Sequence, residues 1–99
     1  MSPDEILEEA AALFKNRNED YGNSYKTFGD FVFELFPYGL TLRTPQDFAR
    51  WGVFNMILSK IHRYSYNIKY GHSDSLKDLS VYAAMLLELD EEHNVSNSD

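Results

Sequence analysis

Cysteine is absent from the 99 residues, so the chain can form neither a disulfide framework nor a thiolate metal site. It also lacks any apolar run near the roughly 20 residues that a membrane-spanning helix needs. Its first residues, MSPDEILEE, have neither the basic nor the apolar region of a signal peptide. We therefore expect a soluble, cytoplasmic protein with no membrane partner.

Positive charge is scarce as well, with 9 Lys and Arg against 16 Asp and Glu and a net charge of −7. A general nucleic-acid binder needs a basic face, so we expect no polymeric nucleic acid as a partner. The segment from Arg43 to Tyr70 differs, because it holds five basic residues and one acid, Asp47. A local basic lining in an acidic protein suits a small anion, although a solvated helix face is the alternative interpretation.

Hydrophobic spacing predicts an all-α fold, a single-domain bundle of about four helices over residues 1–92. The tail at residues 93–99 is predicted to be disordered. Ser2 and Thr44 should cap the first and third helices, Ser73 should cap the fourth, and Gly71 should end the third. The four predicted helices cover residues 3–16, 24–36, 45–67 and 74–91.

The third predicted helix has two contrasting sides. An apolar stripe should face the core: Val53, Phe54, Ile57, Leu58, Ile61, Tyr64 and Ile68. The opposite side is polar, and there His62 is interpreted as an ordinary surface histidine. The fourth helix is apolar on several sides, which indicates that it is central or faces another subunit. We therefore expect a homo-oligomer.

Lys60 and Arg63 are three residues apart, so they are neighbours on one helix face and suit the oxygens of a phosphate. Asp78 lies in the middle of a helix among apolar residues, where an isolated charge is costly. It therefore needs a partner. Two interpretations are open. Asp78 forms an ion pair with Lys60 or Arg63, or these two cations contact a ligand directly.

The stretch NEDYGNSYKTFG follows the first predicted helix and carries three aromatic rings. Gly22 permits a turn with positive φ, and Tyr21 or Tyr25 could stack on a base. Phe28 could do the same but is equally a core residue of the second helix. His72 adjoins the start of the fourth helix, where backbone N–H groups attract an anion.

Asp74 and Asp78 are spaced i, i+4 and could together hold Mg²⁺ against a phosphate. An acid in the first turn of a helix also stabilises the helix dipole, which explains Asp74 without a metal. A catalytic alternative would combine Asp74 and Asp78 with Glu8 from another chain. Otherwise we expect no metal and no cofactor.

Three runs together resemble a family of small phage-encoded helical proteins associated with nucleotide modification or of unknown function. These runs are NRNEDYGNSYKTFGDF, LRTPQDFARWGVFNMILSKIHR and HSDSLKDLSVYAAML, and the resemblance covers residues 15–90. It implies a protein of the infected bacterial cell. Small phage proteins of this sort can act as sponges, oligomers that sequester the nucleotide signals of bacterial immunity.

The last of these runs is also similar to the second metal helix of MazG-type nucleotide pyrophosphohydrolases. Those enzymes hold Mg²⁺ with four acids, but Ser75 stands here where their Glu should be, and the third helix offers Lys60 and Arg63 instead of acids. Basic groups keep affinity for phosphate without activating water. The resemblance thus implies a homo-oligomer that binds and sequesters a small nucleotide, cyclic or linear, without chemistry, in the manner of a phage counter-defence protein. The alternatives are a Mg²⁺-dependent pyrophosphohydrolase and a non-catalytic module that inhibits a host protein.

Overall fold

The structure is a computed structural model that describes residues 1–21 and 24–97. These ranges form four helices and contain no strand, which confirms the all-α prediction. The helices are α1 (Pro3–Tyr21), α2 (Ser24–Leu35), α3 (Pro45–Tyr66) and α4 (Ser73–Asn97). None of them combines the length and apolar character needed to cross a lipid bilayer.

The start of α3 follows the predicted capping signal. Thr44 accepts a hydrogen bond from the backbone N–H of Asp47 at 3.1 Å, and Pro45 is the first helical residue. The backbone N–H groups of Arg43 and Thr44 donate to the Asp47 carboxylate in return, which lowers the pKa of that carboxyl group. Both halves of a capping box are therefore present.

The turn between α3 and α4 depends on Gly71. This residue has a φ of +77° and donates its N–H to the carbonyl of Asn67 at 2.7 Å. Only glycine adopts such a conformation without strain, so Gly71 ends the turn that follows α3. The prediction that Gly71 ends the third helix itself was wrong, because α3 already ends at Tyr66 with Asn67 as its C-cap. The short turn returns α4 alongside α3 in the antiparallel direction.

The packing of α3 against α4 is the most extensive contact between helices in the described residues. Leu58 lies within it and is only 4% exposed. Two ion pairs mark its length: Arg50 with Asp90 at 2.9 Å, and Lys60 with Asp78 at 3.2 Å. The first joins the beginning of α3 to the later part of α4, and the second joins the later part of α3 to the beginning of α4.

Three other predicted boundaries or caps were also wrong. α1 continues to Tyr21 rather than Asn16, because RNEDY contains neither glycine nor proline to stop it. For the same reason α4 continues through EEHNVSN to Asn97 instead of ending at Glu91. Residues 93–97 of the predicted tail are thus helical, and residues 98–99 lie outside the described ranges. Ser73 is the first residue of α4 and does not cap it.

The faces of α3 also differ from the prediction. Ile61 and Ile68 of the expected apolar stripe are exposed. The polar side, in contrast, is covered by α2 through Thr27 and two phenylalanines. α3 is therefore the central helix, with α4 on one side and α2 on another.

The chain buries little apolar surface by itself. Leu58 is the one hydrophobic residue in the described ranges that is almost fully buried, and α1 makes only sparse contacts with the other helices. The accessible surface is 7667 Å², whereas a compact monomer of 11.5 kDa exposes about 5,800 Å². The radius of gyration is 17.1 Å, against about 13 Å for a compact domain of this length.

The cap at Thr44 provides the first test of the fold. We expect Thr44→Ala to lower the free energy of unfolding by about 1 kcal/mol, because the N–H of Asp47 loses its acceptor. Thr44→Ser is the matched control and should retain most of the stability, since it keeps the hydroxyl oxygen. Urea denaturation at one fixed protein concentration measures both variants, and equal losses in the two would contradict a capping role.

Candidate functional site

A cleft between α2 and α3 brings two of the predicted ligand residues together. Tyr25 and Arg63 both line it, and its volume is about 240 Å³. Typical ligand pockets measure about 300–1,000 Å³, so the volume of this cleft lies slightly below that range. The other described residues that line it are Ser24, Phe28, Ser59 and His62.

Helical geometry places these side chains at one cleft. Ser59 and Arg63 are four residues apart on α3, and Ser24 and Phe28 are four apart on α2, so each pair lies on one face of its helix. Ser24 is the first residue of α2, whose first turn contains no acid. The positive end of the α2 dipole therefore lies at the edge of the cleft, with no acid in its own first turn.

Tyr25 is the most accessible ring of the cleft, with 61% of its surface exposed. Phe14 of α1 meets it edge-on, with ring centroids 6.0 Å apart. The ammonium group of Lys26 lies 5.8 Å from the centroid of the Tyr25 ring. A ring held in this way offers a stacking surface with a cation beside it.

His62 forms the floor of the cleft, and its interpretation as a surface residue was wrong. Its ring stacks on Phe31 with centroids 5.5 Å apart and meets the edges of Phe28 and Tyr66 at 5.4 Å. Its Nε2 lies 3.1 Å from Thr27 Oγ1, which is itself 2.7 Å from the Tyr66 hydroxyl. Burial lowers the pKa of His62, so the neutral ring is favoured.

Lys60 and Asp78 pair with each other, as one of the two open interpretations held. The Lys60 side chain is only 12% exposed, whereas that of Asp78 is 52% exposed. Asp78 is thus not surrounded by apolar residues, and the more buried partner is the lysine. Of the predicted phosphate-binding pair, Arg63 lines the cleft and Lys60 neutralises Asp78.

His72 caps α4. The backbone N–H of Ser75 donates to His72 Nδ1 at 3.2 Å, and the Ser75 hydroxyl lies 2.6 Å from the same nitrogen. Ser75 is 3% exposed, so this contact satisfies a buried polar group. The arrangement gives His72 a structural role at the start of α4.

The remaining predicted site residues are Tyr21, Gly22 and the two acids of the alternative metal site, Asp74 and Asp78. Gly22 lies outside the described residues, and so does the side chain of Tyr21, the last residue of α1. Within the described part of one chain, no three His, Asp or Glu side chains converge to hold a metal ion. Asp74 and Asp78 therefore lack a third ligand among the described residues of their own chain.

A second cleft of about 310 Å³ lies near the start of α3, beside Phe36, Trp51 and Phe54. Its walls are mainly aromatic and aliphatic, and its cation, Arg50, is bound to Asp90. Asp90 thus occupies the guanidinium group of this second cleft.

Comparison of the chain with models of known protein families, with curated proteins and with solved structures found no match. The function must therefore be argued from the cleft itself.

The lowered pKa of His62 predicts a pH dependence of stability. In the unfolded chain, His62 takes up a proton near pH 6.5, whereas in the folded chain it does so only at lower pH. The free energy of unfolding should therefore fall as the pH decreases below about 6.5. His62→Gln cannot be protonated and should show a shallower loss. Thermal unfolding between about pH 5 and pH 7.5 measures both proteins, and parallel curves would contradict this assignment.

The unequal burial of Lys60 and Asp78 predicts unequal effects of mutation. Asp78→Asn should destabilise the fold by about 1 kcal/mol or more, because it leaves the ammonium group of Lys60 buried without a charged partner. Lys60→Met should cost less, since Asp78 is half-exposed and water can solvate it. Urea titration of both variants checks the order, and a larger loss for Lys60→Met would contradict it.

Proposed function

We propose that the protein binds a small nucleotide, cyclic or linear, and holds it without hydrolysing it. The observation that carries the proposal is the cleft between α2 and α3, where Tyr25, Phe28 and Arg63 surround one space. Rings stack on a nucleobase, at about 1–3 kcal/mol per base, and an arginine fork binds phosphate oxygens. Both parts of a nucleotide thus have a matching group.

Electrostatics support an anionic ligand. The cleft has Arg63 on α3, the start of α2 at its edge, and Lys26 beside the exposed Tyr25 ring. These groups lie in a chain whose net charge is −7. A local positive field in an acidic protein favours a small anion over a nucleic-acid polymer.

Binding without hydrolysis is the form of the proposal that the residue types favour. The described residues of one chain lack three converging metal ligands, and the described residues that line the cleft include no carboxylate. Burial lowers the pKa of His62, and its ring packs against Phe28, Phe31 and Tyr66. His62 would position α2 and offer one hydrogen bond, and it would not activate water.

The biological setting of the proposal rests on the resemblance to small phage proteins. A protein that binds a nucleotide signal and does not release it would lower the signal's free concentration in an infected bacterial cell. Several copies would act together, because one chain exposes about 1,900 Å² more surface than a compact monomer of its mass. The proposed form is therefore a homo-oligomer that acts as a nucleotide sponge.

The test incubates the purified protein with a panel of linear and cyclic nucleotides plus Mg²⁺. The protein is then re-isolated and denatured, and both the released material and the supernatant are chromatographed. We expect an intact nucleotide with the wild-type protein. Arg63→Ala should retain about tenfold less, because hydrogen bonds to charged groups contribute about 1.5–3 kcal/mol.

Arg43→Ala is the matched control, since it removes the same charge from the loop before α3 and should bind as the wild type does. Circular dichroism confirms that each variant is folded. Monophosphate and pyrophosphate in the supernatant would instead indicate the pyrophosphohydrolase. Absence of both bound nucleotide and products would favour a module that acts on a host protein.

A further inference from the structure

The second cleft, near the start of α3, shares no described lining residue with the nucleotide cleft. Its volume of about 310 Å³ lies within the roughly 300–1,000 Å³ of typical ligand pockets. Three aromatic rings line it, those of Phe36, Trp51 and Phe54, and Leu86 of α4 adds aliphatic surface. The second cleft therefore has the size and the apolar walls to hold a small organic molecule.

The three rings of the second cleft are packed at steep angles to one another. Phe36 meets Trp51 and Phe54 edge to face, with centroids 5.8 and 6.1 Å apart and ring planes at 81° and 83°. In such a pair, the ring that presents its edge keeps both of its faces clear of the other ring. All three rings are only half-buried. Because ring faces carry the negative part of the aromatic quadrupole, accessible ring surface of this kind attracts cations.

Two carboxylates and one guanidinium group share the second cleft with these rings. Arg50 is bound through Nε to Asp90 at 2.9 Å, so these two charges offset each other. Asp47 accepts hydrogen bonds from the backbone N–H groups of Arg43 and Thr44, which lower the pKa of its carboxyl group and so keep it ionised. The described lining thus carries one more carboxylate than guanidinium group.

We infer that the second cleft binds a small organic cation, an ammonium group carried on an aromatic or alkyl body. The body lies against Phe36, Trp51 and Phe54, and the ammonium group faces ring surface and the carboxylates of Asp47 and Asp90. Burial of apolar surface and attraction of the charge then act on one molecule at one place.

Electrostatics favour a cation over an anion at this cleft. An anion would compete with Asp90 for Arg50 and would approach the charge of Asp47, in a chain whose net charge is −7. The field of an acidic protein instead raises the local concentration of cations. The described lining of the nucleotide cleft has the opposite pattern, with Arg63 and no carboxylate. The two clefts therefore favour ligands of opposite charge, and neither inference depends on the other.

Trp51 makes binding at the second cleft directly measurable, because it is the only tryptophan in the chain. Its indole N–H gives a single NMR signal, which reports on this cleft. Benzylammonium, benzyl alcohol and benzoate are nearly equal in size and are titrated at about pH 7.5, where histidine side chains are mostly neutral. We expect benzylammonium to shift the Trp51 signal with an affinity about tenfold higher than that of benzyl alcohol. Benzoate should bind most weakly.

Two variants separate the contribution of the rings from that of the carboxylate. Phe54→Leu keeps apolar volume but removes a π-system, so it should weaken benzylammonium binding about threefold and leave benzyl alcohol nearly unaffected. Asp90→Asn removes a carboxylate and leaves Arg50 unpaired, and it should also weaken benzylammonium binding about threefold. Asp74→Asn is the matched control, because it removes the same charge near the other end of α4, about 24 Å away along the helix. It should bind as the wild type does.

Several results would overturn the inference. These are equal affinities for benzylammonium and benzyl alcohol, tighter binding of benzoate, or no saturable shift of the Trp51 signal. Equal losses in Asp90→Asn and Asp74→Asn would indicate only a general attraction of cations to an acidic chain, and would overturn it as well. None of these results bears on the cleft beside Arg63, which the nucleotide panel tests separately.

Discussion

The packing of α3 against α4 is the contact on which the rest of the chain depends. Leu58 gives it a buried centre, and the Arg50–Asp90 and Lys60–Asp78 pairs align the helices along their length. α2 then packs on another side of α3 through His62, and this packing creates the cleft. Loss of the α3–α4 contact would therefore remove the surface that positions Arg63 as well as the core.

The same contact also shows how little one chain can bury. A single almost fully buried hydrophobic residue in the described ranges is a small core for 99 residues, and small domains are marginal even with a complete one. The apolar side chains of α1 and the outer sides of α4 are half or more exposed. Association between copies would bury such surface, so the proposed assembly and the stability of the fold have the same physical origin.

The sequence alone predicted the start of α3, because a helix cap depends only on residues close to it in the chain. The Thr44 cap acts within a few residues of its own position, and the structure has it as expected. Gly71 has the positive φ of a turn residue but lies beyond the end of α3. The ends of α1 and α4 were missed because polar residues were interpreted as breaks although no glycine or proline stops either helix. The side of α3 that faces α2 was missed for a different reason. A helical wheel ranks residues by polarity, whereas His62 contacts α2 through its ring and both His62 and Tyr66 contact Thr27.

The candidate site was only partly predictable. Tyr25 and Arg63 were both predicted as ligand residues, and they line the same cleft. Lys60 was predicted to bind phosphate, but the tertiary structure buries its side chain and pairs it with Asp78. His72 lies at a helix start as expected, yet it serves as the cap itself. His62 and Tyr66 are four residues apart, on the side of α3 opposite the apolar stripe. This spacing was the sequence signal for a contact between the two rings at the floor of the cleft. It could have been recognised as an aromatic pair.

The claim that several chains together hold an intact nucleotide is tested most directly by mass spectrometry under non-denaturing conditions, after incubation of the protein with the nucleotide panel. Mass alone reports both the number of chains and the identity of any bound ligand. The account predicts an assembly of two or more chains that carries intact nucleotide. A single chain without ligand, at a concentration where the protein is folded, would contradict it.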